Sequence, residues 1–274
     1  MPDGTAIGRE ALRDVPAREV RQAIRDGRWR GTTHDMARGF VQANLAILPE
    51  SHALDFLRFC LRNPKPCPLL DVTDTGNPEP ARAAPGADLR TDLSRYVVYR
   101  HGKKAAEVSD LRDLWRPDHV GFVMGCSLSF DAALAEDGID PAELRRGQQG
   151  AQARIPVYTS SVDCVPAGPF RGPLVVSLKP VPRHLADRVR QVTERYPLAH
   201  GGPVHVGDPA AIGVDPSRAE WTEACAIGPD EVPMFWACGV TPQAIALAAG
   251  IPEMITHATG HMFVTDLTLE DIRR

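Results

Sequence analysis

Nothing in this 274-residue chain approaches the ~20 consecutive apolar residues that a membrane span needs. The first residues, MPDGTAIGREALRDV, lack the apolar core of a signal peptide. A cytoplasmic location with no membrane partner is the expectation. An excess of positive charge is also missing. Thirty-one Lys and Arg face 35 Asp and Glu, a formal net charge of −4, which argues against general nucleic-acid affinity. The six cysteines, Cys60, Cys67, Cys126, Cys164, Cys225 and Cys238, contain no Cys-x-x-Cys pair. Zinc ribbons and thioredoxin-type motifs are therefore not indicated, and all six thiols are expected to be reduced. No internal repeat is visible.

What is present is an ordinary soluble composition, 43% hydrophobic and 24% charged, long enough to bury a sizeable core. The 25 prolines and 23 glycines are spread through short motifs, which suggests shaped loops on a rigid scaffold. Hydrophobic spacing predicts helices over 16–26, 34–48, 51–62, 183–195 and 241–250. It predicts strands near 96–100, 104–108, 120–124, 157–159, 174–178, 222–227, 232–236, 253–257 and 261–265. This alternation gives the α/β class, built from α+β elements on a mixed sheet. The chain reads as one unit over 1–274, with about 139–200 as the candidate for a smaller subdomain.

The stretch His200–Gly213, HGGPVHVGDPAAIG, places two histidines and an aspartate among glycines and prolines that exclude a helix interior. His205 and Asp208 fall at the end of a short expected strand, where α/β proteins place ligand groups. The plain alternative is a glycine-rich turn whose histidines cap backbone groups. Gly125-Cys126-Ser127 follows an apolar strand and precedes a helix, so its backbone N–H groups could cradle an anion, and a cysteine there tends to have a lowered pKa. The alternative is a buried thiol with Ser127 or Ser129 as N-cap. Trp236 to Gln243 repeats the arrangement around Cys238 and Thr241, where ordinary capping by Thr241 is the competing reading. His257 and His261 read as satisfied turn histidines. His200, His205 and Asp208 are chemically suitable metal ligands, but their spacing matches no standard motif. No cofactor is called for, and a divalent metal is left open. Among cations, Arg90 stands out between Asp88 and Asp92, and Lys65 because prolines 64, 66 and 68 fix its backbone. A small acidic substrate needs at least one such group, although a surface ion pair by itself indicates nothing.

QANLAILP (42–49), DFLRFCLRNPKPCPLLDV (55–72), ADLRTDLSRY (87–96), GCSLSF (125–130), AGPFRGPLVVSLKP (167–180), HGGPVHVGDPAAIGV (200–214), EVPMFWACGVTPQ (231–243) and THATGHMFVTDL (256–267) are all present in this order. Together they resemble the bacterial candidate hydro-lyase family related to D-glutamate cyclase, over nearly the whole chain from about residue 30. The resemblance implies two unequal α/β subdomains around one cleft and a lyase that removes water. In the D-glutamate cyclase relatives the product is 5-oxo-D-proline. One stretch departs from the family pattern. LRRGQQGAQARIPVYTSSV (144–162) keeps Tyr158 but carries Thr159, Ser160 and Ser161 where the family has Arg, Thr and Asn. If that arginine holds a substrate carboxylate in relatives, this chain holds its substrate otherwise.

Lactam formation needs a neutral amine, a stabilised tetrahedral oxyanion and a proton for the leaving hydroxyl. His205, oriented by Asp208, is the candidate base or acid. The turn at Gly125-Cys126-Ser127 is the candidate oxyanion cradle, and Cys126 could instead form a thioester. Lys65 or Arg90 would hold the α-carboxylate, with Ser127, Tyr158, Cys238 and Thr241 also in the binding set. The expected partner is a small carboxylate, and a homo-oligomer is left open. Two competing readings are a small-molecule binding protein that kept the pocket and lost catalysis, and a cysteine-dependent amide hydrolase.

Overall fold

The computed structural model describes residues 6–141, 143–145, 155–219 and 224–274. Its frame is two antiparallel sheets. The larger has seven strands: β1 (Phe40–Pro49), β2 (Leu69–Val72), β3 (Tyr96–Arg100), β4 (Lys103–Val108), β5 (His119–Gly125), β10 (Glu253–His257) and β11 (Phe263–Thr268). They run in the order β2-β5-β1-β10-β3-β4, with β11 also against β1. The smaller sheet orders β6 (Val157–Asp163), β7 (Pro173–Pro182), β9 (Glu231–Ala237) and β8 (His205–Val206) as β6-β7-β9-β8. Five α-helices are described: α1 (Ala17–Arg25), α2 (Glu50–Arg62), α3 (Phe130–Glu136), α4 (Ala186–Glu194) and α5 (Val240–Ala248). The α/β class is as expected, but every recorded strand pair is antiparallel, so the sheets are not mixed. No helix of the described residues is long and apolar enough to cross a membrane.

The helix expected over 34–48 is instead β1, the strand at the centre of the larger sheet. Nine of its ten residues are buried, without any 3.6-residue rhythm. Val41, Ala43, Leu45 and Ile47 enter one core cluster, while Ala46 and Leu48 enter another on the opposite face. A strand covered on both faces reads as a continuous apolar run, and periodicity cannot separate such a run from a buried helix. The other elements fall close to where spacing put them. The strand expected at 222–227 lies partly outside the described residues, and 224–228 are irregular.

Along one edge of β1, β10 and β11 lie end to end. Ala46 faces Thr256 and Ala43 faces Phe263, so residues 258–262 loop out opposite Asn44 and Leu45. The interruption leaves the Leu45 N–H without a strand partner, and the His257 Nδ1 accepts it at 3.1 Å. Burial pushes the His257 imidazole down to about 4, so it is neutral.

Candidate functional site

The two repeated motifs end beside each other. β5 stops at Gly125, Cys126 follows, and a 3-10 turn (Ser127–Ser129) leads into α3. β9 stops at Ala237, and Cys238-Gly239 leads into α5. The Asn44 side chain touches both turns, donating to the Gly125 carbonyl at 2.9 Å and lying 2.3 Å from where a Cβ on Gly239 would fall, so the two turns lie side by side and border one crevice at Asn44. Packing explains the glycine at the first turn. A Cβ on Gly125 would sit 1.7 Å from the Leu198 carbonyl oxygen, and the Gly125 N–H donates to the Pro68 carbonyl at 2.8 Å.

Chemistry at the two turns differs from expectation. Burial pushes the Cys238 thiol up to about 12, although a hydrogen bond with the Val240 backbone works against the shift. Cys238 is thus a thiol at neutral pH, and a depressed cysteine pKa does not hold there. Thr241 does not cap α5. Its hydroxyl donates to the Val175 carbonyl at 3.0 Å and accepts from the Val175 N–H at 3.1 Å, while the Cys238 N–H also reaches that carbonyl. The turn is thereby clipped to β7. Ser127 opens the 3-10 turn without capping it, and the Ser129 hydroxyl bridges the backbone N–H and carbonyl of Gln42.

Between the turns lies a side chain that the spacing argument had assigned to a helix. Asn44 on β1 is buried, and its Nδ2 donates to the Gly125 carbonyl at 2.9 Å. A Cβ on Gly239 would fall 2.3 Å from that same nitrogen.

A third wall comes from Lys65–Pro68 and Leu198–Pro203. His200 adopts a left-handed φ of 74°. Its Nδ1 donates to the Lys65 carbonyl at 2.6 Å, and burial pushes the ring down to about 4. The Lys65 ammonium turns back to the carbonyls of Gly202 (2.9 Å) and Pro203 (3.2 Å). Desolvation lowers its pKa, with Glu194 opposing. Because β8 pairs antiparallel to β9 with His205 opposite Phe235, the chain before it runs toward Cys238. His200–Pro203 is therefore the end of the stretch nearest the crevice, and Phe235, opposite His205, is three residues back along β9, roughly 10 Å.

His205 and Asp208 do meet, through a different atom than expected. The His205 Nε2 donates to the backbone carbonyl of Asp208 at 2.8 Å, while the Asp208 carboxylate accepts the Ala210 N–H at 3.0 Å. A carbonyl only accepts, so Nε2 carries the proton and Nδ1 is the basic nitrogen. On this two-residue edge strand the flanking Val206 is exposed and Val204 half-buried, so β8 has no buried valine face. Among the described residues no three His, Cys, Asp or Glu side chains are grouped to hold a metal, so His200, His205 and Asp208 do not form a ligand set.

Arg90 stands apart from these walls. It is held in a two-pronged pair by Asp88, with Nε–Oδ1 at 2.9 Å and Nη2–Oδ2 at 2.8 Å. That pair raises the arginine pKa. A different cation lines a cavity of about 640 Å³, namely Arg218, together with Tyr158, Thr159, Gly213, Val214, Asp215 and Ala219. The Tyr158 hydroxyl donates to the Pro216 carbonyl at 2.9 Å. Thr159 pairs with Val175 on β7, and Val175 receives the Cys238 N–H, so one sheet row joins the cavity to the crevice. Two strand spacings make that about 10 Å. Sequence reasoning missed Asp215 and Arg218, which show no motif. It also missed Lys179, a buried ammonium 4.0 Å from the Asp131 carboxylate and 5.3 Å over the Phe130 ring.

A family profile described as D-glutamate cyclase matches residues 120–266. A candidate hydro-lyase of Rubrobacter xylanophilus is 53% identical over 251 residues, covering 91% of this chain and 95% of its own length. The candidate hydro-lyase YcsI of Bacillus subtilis is 49% identical over 256 residues, covering 93% and 98%. A candidate hydro-lyase of Stutzerimonas stutzeri is 48% identical over 263 residues, covering 96% and 97%. The chain belongs to the D-glutamate cyclase family. The matched span begins in β5 and ends in β11. It therefore includes Cys126, Tyr158, His200, His205, Asp208, Cys238 and Thr241, whereas Asn44, Lys65 and Arg90 precede it.

Proposed function

We propose that the protein is a D-glutamate cyclase-like hydro-lyase acting on a small carboxylate, closing an amino dicarboxylate to its lactam with loss of water. The observation that supports this reading, beside family membership, is the meeting of the turn after β5 and the turn after β9 at the Asn44 side chain. In the reaction the substrate nitrogen bonds to the side-chain carboxyl carbon, the C–OH bond breaks, and the hydroxyl departs with a proton as water. Backbone N–H groups of the two turns are the candidates for stabilising the tetrahedral oxyanion. His205 is the candidate proton carrier through Nδ1. Arg90 is already engaged by Asp88, which argues against it as the anchor of the α-carboxylate. The raised Cys238 thiol argues against a hydrolase with that residue as nucleophile.

Purified protein incubated with D-glutamate, L-glutamate and a set of hydroxy acids tests the reading. Formation of 5-oxo-D-proline, or another dehydrated product, without ammonia release is the expected outcome. Ammonia release from glutamine, added to the same set, would instead indicate an amide hydrolase. Thermal stabilisation by a ligand that is never converted would indicate a binding protein.

A further inference from the structure

β1 buries two carboxamides on the same face, Gln42 and Asn44. Their hydrogen bonding differs. Gln42 is fully used: its Oε1 accepts from the Thr33 hydroxyl at 2.9 Å, and its Nε2 donates to the carbonyls of Thr33 (2.8 Å) and Met36 (3.3 Å). Asn44 is half used. Its Nδ2 faces the Gly125 carbonyl, which can only accept, so the amide has one possible orientation. Its Oδ1 then has no donor among the described residues, although Asn44 is only 6% exposed. Buried amide oxygens are normally paired, and an orphan calls for an explanation. Loose packing is not that explanation. A Cβ on Gly239 would meet the amide at 2.3 Å from Nδ2, 2.6 Å from Cγ and 2.7 Å from Oδ1. The group is held between the turn that ends β5 and the turn that follows β9, with an acceptor left unfilled.

We propose that Asn44 is a further substrate-binding residue of the crevice, whose Oδ1 accepts a hydrogen bond from the substrate's amine. This rests on the reading of the crevice as the place of ring closure. The attacking nitrogen must be neutral, with its lone pair directed at the carboxyl carbon. An acceptor fixed on one N–H orients the nitrogen so that the lone pair points elsewhere. The same bond strengthens as positive charge develops on nitrogen while the C–N bond forms. The bond from Nδ2 to Gly125 and the flat contact with Gly239 hold Oδ1 in place before substrate arrives. An amine supplies both the donor and the nucleophile, whereas a hydroxy acid supplies only the donor.

The test uses Asn44→Ala and Asn44→Asp in the full chain. Asn44→Ala removes the acceptor, and Asn44→Asp keeps an acceptor of the same shape while losing the bond to Gly125. Expected for Asn44→Ala is a fall of about 10–100-fold in kcat/KM for D-glutamate, the size of one hydrogen bond to a polar or charged group. Asn44→Asp should recover part of it, and a merely structural role would not produce such a rescue. Wild-type kinetics in both variants would overturn the proposal. So would a crystal structure of the unliganded protein with a protein N–H or O–H on Oδ1; a water there, displaced by the product lactam, is the expected result. If the wild type binds D-glutamate in calorimetry without converting it, ring closure fails as the reaction. Loss of that binding in Asn44→Ala then still supports the assignment, and its retention overturns it. Should the wild type neither bind nor convert any amine offered, the assignment falls together with the reading.

Discussion

At one end of β5, His119 is buried with every polar atom engaged. Its Nδ1 accepts the Arg116 N–H at 3.2 Å, and its Nε2 donates to the Glu253 carboxylate at 3.0 Å. Arg116 and Arg100 also approach Glu253, at 3.4 and 3.5 Å, and Trp115 stands edge-on to the ring. At the other end, the Gly125 carbonyl meets Asn44, whose amide oxygen has no donor among the described residues. The strand is the same, burial is similar, and the bonding is complete at one end only. A satisfied buried network locks strands together, whereas a rigid, incompletely satisfied group has spare capacity for a ligand. The proposed role of Asn44 rests on this difference.

The largest expected effect is at that end. Gly125→Ala drives a Cβ into the Leu198 carbonyl oxygen at 1.7 Å. Backbone on both sides leaves little room to relax, so a loss on the order of 4 kcal/mol or more is expected. A variant with a wild-type melting curve would break the description of this junction.

A pH change comes next. Burial lowers His200 and His257 from 6.5 to about 4, and lowers His119 as well, so the folded chain holds all three neutral. Stability from this source is complete above about pH 6.5 and is lost as pH falls toward 4, because the unfolded chain takes up the protons first. Each of the two strongly shifted rings would contribute on the order of 3 kcal/mol. Denaturant unfolding at pH 7 and pH 4.5 reads this directly, and equal stabilities would contradict it.

Glu253→Ala sharpens the comparison from the satisfied end. It should cost about 1–3 kcal/mol by leaving buried His119 without its acceptor. Turnover per folded molecule should stay unchanged, and a selective loss of kcat would assign function to the wrong end. The smallest effect is expected for Lys65→Met. Its ammonium ties an exposed wall to Gly202 and Pro203, so roughly 0.5–1 kcal/mol and less than a threefold rise in KM are expected. A KM increase of tenfold or more would return Lys65 to the role of carboxylate anchor.

By itself the sequence determined the α/β class, the hairpin of β3 and β4, the two strand-turn-helix motifs at Cys126 and Cys238, and the family. Local rules suffice there, because turn residues and short apolar runs act over a few positions. Tertiary structure alone decided that 40–49 is a strand, since only coverage of both faces makes that apolar run extended. It also decided which polar residues are consumed. Thr241 looked like a cap and clips a neighbouring strand. Arg90 was a candidate carboxylate anchor and is held by Asp88, the ion-pair alternative, and Asp208 reaches His205 through its backbone. Asn44 lay inside the QANLAILP segment with nothing to single it out as a site residue. Its position depends on Gly125 and Gly239, residues 81 and 195 places along the chain, and contacts at that separation leave no mark on local spacing.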